Sequence, residues 1–228
     1  MTTQDFLSAL DACIAQYDLL CHPYYQAWSA GELTRDDLRR YATDYYHHVA
    51  AFPTYLSALH SRLQDGPVRR SVLRNLCEEE IEGRPHSELW LDFAEGMGAD
   101  REAVRYQQPM DAIRALIDGF REASSTRSTA EALAAFYAYE SQIPRVAREK
   151  AAGLTERYGA DNRTAGYFKL HQTADVQHSR VWRDLLAQEV EAHPEQAEAA
   201  LTKAEQVAQS LWHVLDAMQQ RRQAAAAA

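Results

Sequence analysis

Signals that start and stop helices recur along the whole chain, and no segment alternates apolar and polar residues as a half-buried strand does. Thr34 stands three residues before Asp37, and Ser128 stands three residues before Glu131, which is the spacing of a capping box at a helix start. Glycine–proline pairs and short polar turns separate the periodic segments. The sequence therefore predicts an all-α fold, a single-domain bundle of about seven to nine helices.

The predicted helices follow one another through short loops, without a linker that would mark a second domain. We expect one domain over residues 1–223 and a frayed alanine tail at residues 224–228. Gly83-Arg84-Pro85 should kink or break the helix around it, because proline removes a hydrogen bond and clashes with the preceding turn. The expected helices span about 3–20, 34–63, 68–97 with that break, 110–121, 128–159, 163–190 and 193 to the tail.

Composition excludes several classes of function. The net charge of −9 argues against nucleic acid as the main partner, since phosphate binding depends on clustered lysine and arginine. No apolar run approaches the length of a membrane span, and the N-terminus lacks the basic start of a secretory signal. The three cysteines form no CxxC pair, which suits reduced thiols better than a disulfide framework. We therefore expect a soluble cytoplasmic protein.

The segment from His171 to His178 carries the most specific chemistry in the chain. At ~100° per residue, positions i, i+4 and i+7 of a helix fall within an arc of about 60°. His171, Asp175 and His178 should then project from one face of one helix. Two imidazoles and a carboxylate are competent ligands for a first-row metal ion. The alternative is a set of solvated polar residues on an exposed helix face.

Two further segments offer ligands of the same kind. Glu79 and His86 are seven residues apart, although Glu79 lies in an acidic run that is typical of a solvated face. Glu82 stands four residues before His86 and is an alternative partner for it. Glu140 lies in an apolar and aromatic stretch, where an ionised carboxylate is rare unless it is paired or bound to metal. A buried salt bridge to an arginine is the alternative for Glu140.

Together the three segments supply three carboxylates and three imidazoles from three helices. Carboxylate-rich sites in helical bundles hold paired iron or manganese ions. Cys77 is two residues from Glu79 and off its face, and the two downstream segments contain no cysteine, which disfavours a zinc–thiolate site. The predicted ligands are Glu79, His86, Glu140, His171, Asp175 and His178.

These segments resemble the haem-oxygenase-like di-metal oxidases, and all six ligand positions of that family's pattern are filled. Within the family, the chain is most similar to the chlamydial proteins that associate with death domains, which are relatives of the pyrroloquinoline-quinone synthesis oxidases and of thiaminase II. The likeness covers nearly the whole chain, from His22 to Trp182. Its most specific parts are Glu79-x6-His86, the stretch 136–142 and His171-x3-Asp175-x2-His178.

The resemblance implies a dinuclear centre, iron–iron or manganese–iron, that uses O2 and an external reductant. Proteins of this kind are linked to making p-aminobenzoate for folate synthesis without the chorismate route. The resemblance places the carbon source at the protein's own Tyr25, a second redox tyrosine at Tyr41, and Tyr139 beside a metal ligand. It assigns the amine donor to Lys150. Related folds often dimerise, so a homodimer is expected.

The residues themselves constrain Lys150 less tightly. On one continuous helix, Lys150 would lie about 80° around the axis and ~15 Å along it from Glu140, near the wall of the site. The chain contains only three lysines, so one at this position is informative. The alternative is a surface lysine that closes a basic turn with Arg145 and Arg148 near the end of a helix.

Three other functions compete with a self-consuming synthase. An oxidase acting on an external small aromatic or amine would turn over many times and leave the chain intact. A thiaminase-like hydrolase would place a nucleophilic cysteine in the pocket. A helical protein-interaction module would need no metal ligands and would survive removal of metal.

Overall fold

The computed structural model describes residues 1–227, which contain twelve α-helices, two short 3-10 turns and no strand. The all-α prediction is confirmed. The helices are α1 (Thr3–Ala15), α2 (Pro23–Ala30), α3 (Arg35–Arg62), α4 (Pro67–Glu80), α5 (His86–Gly96), α6 (Arg101–Tyr106), α7 (Asp111–Thr126), α8 (Thr129–Glu140), α9 (Ile143–Arg157), α10 (Gly166–His171), α11 (Ala174–Ala192) and α12 (Ala197–Ala226).

Helix α8 lies at the centre of the bundle. Every residue from Ala132 to Glu140 is buried, so this helix is apolar on all sides, and it packs against α7, α11 and α12. Its start is fixed by the predicted capping box, in which Ser128 and Glu131 each accept a backbone hydrogen bond from the other residue. The same reciprocal cap opens α3 at Thr34 and Asp37. The core therefore forms around one helix whose N-terminus is defined by its sequence.

The helix count exceeds the prediction because two expected helices are divided. The expected helix 128–159 ends at Glu140 and restarts as α9 at Ile143. Pro144 has no N–H to donate to the carbonyl of Glu140, so the helical ladder cannot continue there. The expected helix 163–190 is divided at Thr173, whose hydroxyl donates to the carbonyl of Leu170 in competition with the ladder.

Two short helices, α2 and α6, fall in segments where the sequence predicted none. His22 caps α2, because its Nδ1 accepts a hydrogen bond from the backbone N–H of Tyr24, and Pro23 occupies the first turn. Histidine is not a usual capping residue, so the pattern gave no signal. Among the described residues, no helix is both long and apolar enough to cross a bilayer. The frayed tail and the single-domain bounds stay predictions.

Helices α2 and α9 approach each other closely at Gly153. A β-carbon built on Gly153 would lie 2.9 Å from Cδ1 of the Trp28 indole ring. Trp28 in turn donates a hydrogen bond from Nε1 to the carbonyl of Lys150, 3.4 Å away. The absence of a side chain at Gly153 thus sets the spacing between the helix that carries Tyr25 and the helix that carries Lys150.

We predict that Gly153→Ala lowers the free energy of unfolding by about 1–2 kcal/mol, because the clash with a rigid indole outweighs the gain in helix propensity. Gly119, inside α7, is the matched control, since a β-carbon there meets nothing within 4 Å. Gly119→Ala should instead gain about 0.5–1 kcal/mol. Urea unfolding of both variants checks this, and equal gains in the two would contradict the close approach.

Candidate metal centre

The six predicted ligands come together in two groups of three, and all six side chains are buried. Within each group, one ligand atom per residue lies within 4.8 Å of the others. The first group is Glu79, His86 and His171, and the second group is Glu140, Asp175 and His178. The alternative of a solvated face is therefore wrong for His171, Asp175 and His178. Within the acidic run, Glu79 is buried, whereas Glu80 and Glu82 are exposed.

Breaks in the helices assemble the first group. Along an unbroken helix, Glu79 and His86 would be about 10 Å apart. Helix α4 ends at Glu80 and α5 begins at His86, and the turn between them brings Nδ1 of His86 to 2.8 Å from Oε2 of Glu79. The expected break at Gly83–Pro85 is confirmed. Here the break creates the site by removing the helical rise between two ligands.

The prediction that His171, Asp175 and His178 share one helix is wrong. His171 ends α10, whereas Asp175 and His178 lie in the first turns of α11. The break at Thr173 sends His171 to the first group and leaves the other two residues in the second group. One contiguous segment thus contributes to both groups.

The ring orientation of His171 follows from its hydrogen bond. Its Nδ1 lies 2.7 Å from the backbone carbonyl of Tyr167, and a carbonyl only accepts. Nδ1 therefore carries the proton, and Nε2 keeps its lone pair for a metal ion. The Tyr167 ring also stacks on the His171 ring, with centroids 4.0 Å apart. Burial lowers the pKa of His171, which favours the neutral, ligating form.

In the second group, Trp182 donates a hydrogen bond from Nε1 to Oε2 of Glu140, 2.7 Å away. Nδ1 of His178 lies 3.2 Å from Asp175 Oδ1 and 3.5 Å from Glu140 Oε2. Among the described residues no arginine pairs with Glu140, so the alternative of a buried arginine salt bridge is wrong. Burial raises the pKa of Glu140 well above its usual range, as expected for a carboxylate without a nearby fixed cation.

The residues fit a metal pair. Oε1 of Glu140 is buried and has no hydrogen-bond partner, and Nδ1 of His86, although 2.8 Å from Oε2 of Glu79, is not aligned to form a hydrogen bond with it, which is costly unless another group satisfies these atoms. Three buried carboxylates also need positive charge close by. Two divalent cations would supply both the charge and the missing partners. Carboxylate oxygen and imidazole nitrogen are donors that iron and manganese accept.

Lys150 lies in a second buried cluster, together with Tyr25 and Tyr41. Its Nζ donates to the hydroxyl of Tyr25 at 2.7 Å and also to the hydroxyl of Tyr41, and the two hydroxyls are 2.9 Å apart. Lys150 is 5% exposed, so the alternative of a surface lysine is wrong. The expectation of one helix shared with Glu140 is also wrong, since Lys150 lies on α9.

The charge state of this cluster follows from its burial. The structure places no carboxylate within ion-pair distance of Lys150 among the described residues, and burial holds its pKa well below the usual range. Burial likewise raises the pKa of Tyr25 and of Tyr41 well above the usual range. Desolvation therefore favours a neutral amine beside two neutral phenols in this cluster.

A small cavity lies beside the lysine cluster and reaches residues next to the metal ligands. It measures about 20 Å³, room for about one water molecule. Tyr25 and Lys150 line one part of it, and Tyr139 and Tyr167 line another. Tyr139 precedes Glu140 in the chain and Tyr167 stacks on His171, so the cavity wall contains a neighbour of a ligand from each group.

Two aromatic residues of this wall, Tyr45 and Tyr167, were missed by the sequence reasoning. Tyr45 stacks on Tyr41 with ring centroids 5.4 Å apart. Each stands four residues from a predicted site residue, Tyr45 after Tyr41 and Tyr167 before His171, which is one helical turn. That spacing was the available signal.

Comparison with known proteins identifies the family. Residues 39–212, more than half of the chain, match the family described as iron-containing redox enzymes. The chain belongs to this family. It is therefore an enzyme of the redox class, and the predicted relationship to the haem-oxygenase-like oxidases is confirmed.

Individual relatives agree with the family. The 4-aminobenzoate synthase of Chlamydia trachomatis is 41% identical over 93% of this chain and 91% of its own length. The 4-aminobenzoate synthase of Nitrosomonas europaea is 35% identical over 95% of this chain and 92% of its own length. A Shewanella denitrificans domain of unknown function with a haem-oxygenase-like fold superposes with a TM-score of 0.77 at 19% identity, covering 96% of this chain and 91% of that one. The predicted fold is confirmed.

We predict that metal loading stabilises the protein. At a free ion concentration 100 times the dissociation constant, Fe(II) or Mn(II) should raise the free energy of unfolding by about 2.7 kcal/mol for each ion bound, and a chelator should remove this gain. Asp175→Asn should remove about half of the response, whereas Asp118→Asn, at an exposed carboxylate, should keep all of it. Anaerobic thermal unfolding with and without metal measures it. Identical responses of the two variants would contradict the assignment.

The depressed pKa of Lys150 predicts a pH-dependent difference in stability. Between its folded pKa and ~10.4, the unfolded chain binds more protons at this residue than the folded chain, so stability rises with pH. The free energy of unfolding of the wild type minus that of Lys150→Met should therefore grow from pH 7 towards pH 10, by at most about 1.4 kcal/mol per unit.

Urea unfolding at several pH values measures this difference. Lys169→Met, at an exposed lysine, is the control and should differ from the wild type by a constant amount. A constant difference for Lys150→Met as well would mean that Lys150 is charged in the folded protein.

Proposed function

We propose that this enzyme makes p-aminobenzoate for folate synthesis, with its own Tyr25 as the carbon source and Lys150 as the amine donor. A dinuclear centre, iron–iron or manganese–iron, would take part, with O2 and an external reductant as co-substrates. The observation that carries the proposal is the buried contact between Lys150 Nζ and the hydroxyl of Tyr25, in a small cavity whose wall includes Tyr139 and Tyr167, the neighbours of the metal ligands Glu140 and His171.

The contact fits the required bond formation. Nitrogen must bond to the ring carbon that bears the phenol oxygen while that C–O bond and the Cε–Nζ bond of Lys150 break. With O2 as the oxidant and the external reductant as the electron source, the phenol oxygen leaves as water and Cε is left as an aldehyde. Lys150 Nζ hydrogen-bonds to the phenol oxygen at 2.7 Å. A neutral amine has a lone pair for this step, whereas an ammonium ion has none. The hydroxyl of Tyr41 hydrogen-bonds to Lys150 Nζ and to the Tyr25 hydroxyl, so it keeps the amine next to the phenol. Folding thus supplies the proximity that a two-substrate enzyme obtains by binding.

The surroundings fit an oxidative reaction. When bound and reduced, the metal pair supplies the oxidising power by activating O2. The phenol rings of Tyr139 and Tyr167 and the indole ring of Trp90 line the same cavity as Tyr25. Tyr25, Tyr41 and Tyr139 are all buried, and a cavity with room for about one water molecule limits side reactions with solvent.

The relatives support the same product. Two proteins that align with more than nine-tenths of this chain, at 41% and 35% identity, are named 4-aminobenzoate synthase. Their names do not specify the donor of carbon or nitrogen, and those assignments depend on the geometry around Tyr25 and Lys150.

The alternatives fit less well. An external aromatic substrate does not fit a cavity of about 20 Å³. The residues that line this cavity, within the described part of the chain, include no cysteine for a thiaminase-like reaction. An interaction module gives no reason to bury six ligating side chains in a core.

We also propose a cytoplasmic location, since Cys13, Cys21 and Cys77 are free. The homodimer stays a prediction.

Isotope labelling tests the proposal directly. Protein produced with ring-¹³C tyrosine and ¹⁵N-ε-lysine, loaded with iron and manganese and given reductant and O2, should release p-aminobenzoate that carries both labels. At most one product molecule should form per chain, with a loss of mass in the peptide that contains Tyr25. Mass spectrometry of product and protein measures both.

Matched variants define the residues. Tyr25→Phe and Lys150→Met should lower the yield at least 100-fold, whereas Tyr106→Phe and Lys169→Met, at exposed positions, should keep it. Unlabelled product, or many products per chain from an added aromatic, would overturn the self-consuming reaction and favour the external-substrate oxidase.

A further inference from the structure

Glu78, which follows Cys77 on α4 and is not among the six ligands, contacts His178 from outside the metal centre. Its carboxylate lies within hydrogen-bond distance of Nε2 of the His178 ring. The other ring nitrogen, Nδ1, points the opposite way, towards Asp175 and Glu140. The imidazole of His178 is therefore held between an outer carboxylate and the inner carboxylates of its group.

This geometry assigns different tasks to the two nitrogens. A carboxylate at Nε2 accepts a hydrogen bond and holds a ring proton there, so an ion that binds beside Asp175 and Glu140 would take the place of the proton that Nδ1 donates to Asp175. An acceptor behind a ligating histidine fixes the orientation of the ring and makes the ligating nitrogen more basic. Glu78 has both the chemical group and the position for this task.

The two metal-binding groups differ in how their histidines are held. In the first group, the backbone carbonyl of Tyr167 fixes His171, and no side-chain substitution removes that acceptor. In the second group, the acceptor is the side chain of Glu78, which is 31% exposed. The second group therefore depends on a replaceable carboxylate at the protein surface, and the first group does not.

A pocket at the same place supports a specialised role for this face. Asn75, Glu78, Gln177 and His178 line a pocket of about 50 Å³ where α4 meets α11. Asn75 is 3% exposed, and neither its amide nitrogen nor its amide oxygen has a hydrogen-bond partner. Unpaired buried amides are costly, and this pocket has room for a water molecule that could satisfy the Asn75 amide next to Glu78.

We propose that Glu78 is a positioning residue for the metal ion held by Glu140, Asp175 and His178, and that it acts through Nε2 of His178. The ion at Glu79, His86 and His171 is independent of Glu78. The proposal rests on the metal centre alone, so it holds or fails whatever the product of the enzyme is.

Anaerobic titration of the metal-free protein with Co(II), followed by visible absorption and by equilibrium dialysis, tests this assignment. The wild type should bind two ions. Glu78→Ala should bind one ion with the affinity of the wild type and the other about 10–100-fold more weakly. Glu78→Gln should lie between them, because its amide oxygen accepts the hydrogen bond but carries no charge. Glu80→Gln, at the exposed acid two residues further on, is the control and should behave as the wild type.

A double mutant separates action through His178 from direct ligation. In a His178→Asn background, adding Glu78→Ala should change neither affinity, because the ring that Glu78 orients is gone. A further loss in that background would mean that Glu78 binds the ion itself and would overturn the proposal. Unchanged affinities for both ions in Glu78→Ala would overturn it too. So would an equal loss of affinity for both ions in Glu78→Gln, if the circular dichroism spectrum of that variant matches the wild type.

Discussion

The cost of removing charge from water governs this structure. Three carboxylates and three imidazoles lie inside an apolar bundle, where uncompensated ionised groups are strongly unfavourable. The helices break close to the ligands, around Gly83 and at Thr173, and these breaks bring the donor atoms within reach of shared ions. Buried Asp92 supports this arrangement, because it pairs with Arg84 in the first break, with Arg101 at the start of α6 and with Arg163 before α10.

The cost of burying charge has the opposite outcome at Lys150, where the charge is lost instead of being compensated. Paired with a carboxylate, a buried lysine would remain an ammonium ion, but its polar neighbours here are the hydroxyls of Tyr25 and Tyr41. Without a counter-ion, desolvation favours the neutral amine. A buried amine contributes less to the free energy of unfolding than an apolar side chain at the same position would. The close approach of α9 to α2 at Gly153 keeps this amine next to the phenol.

Residue types and spacing were enough to find the metal ligands as candidates, because few roles explain Glu140 in an apolar helix or two histidines and an acid at 171, 175 and 178. Spacing failed where the chain stops being a helix. The breaks at Gln142 and Thr173 depend on one missing N–H and on one competing hydroxyl, which periodicity does not register. The contact between Lys150 and Tyr25 joins residues 125 apart, so it needed the fold.

In the proposed reaction, the closed cavity and the internal substrate explain each other. An enzyme for an external aromatic needs an opening and space for a ring, and both admit water near an oxidising centre. When the ring is Tyr25, folding delivers it to Lys150 in the reacting geometry, and the entropy of bringing two partners together is lost once, during folding. A cavity with room for about one water molecule is then sufficient. Single turnover follows from the same arrangement, because no diffusing molecule can replace a residue of the chain.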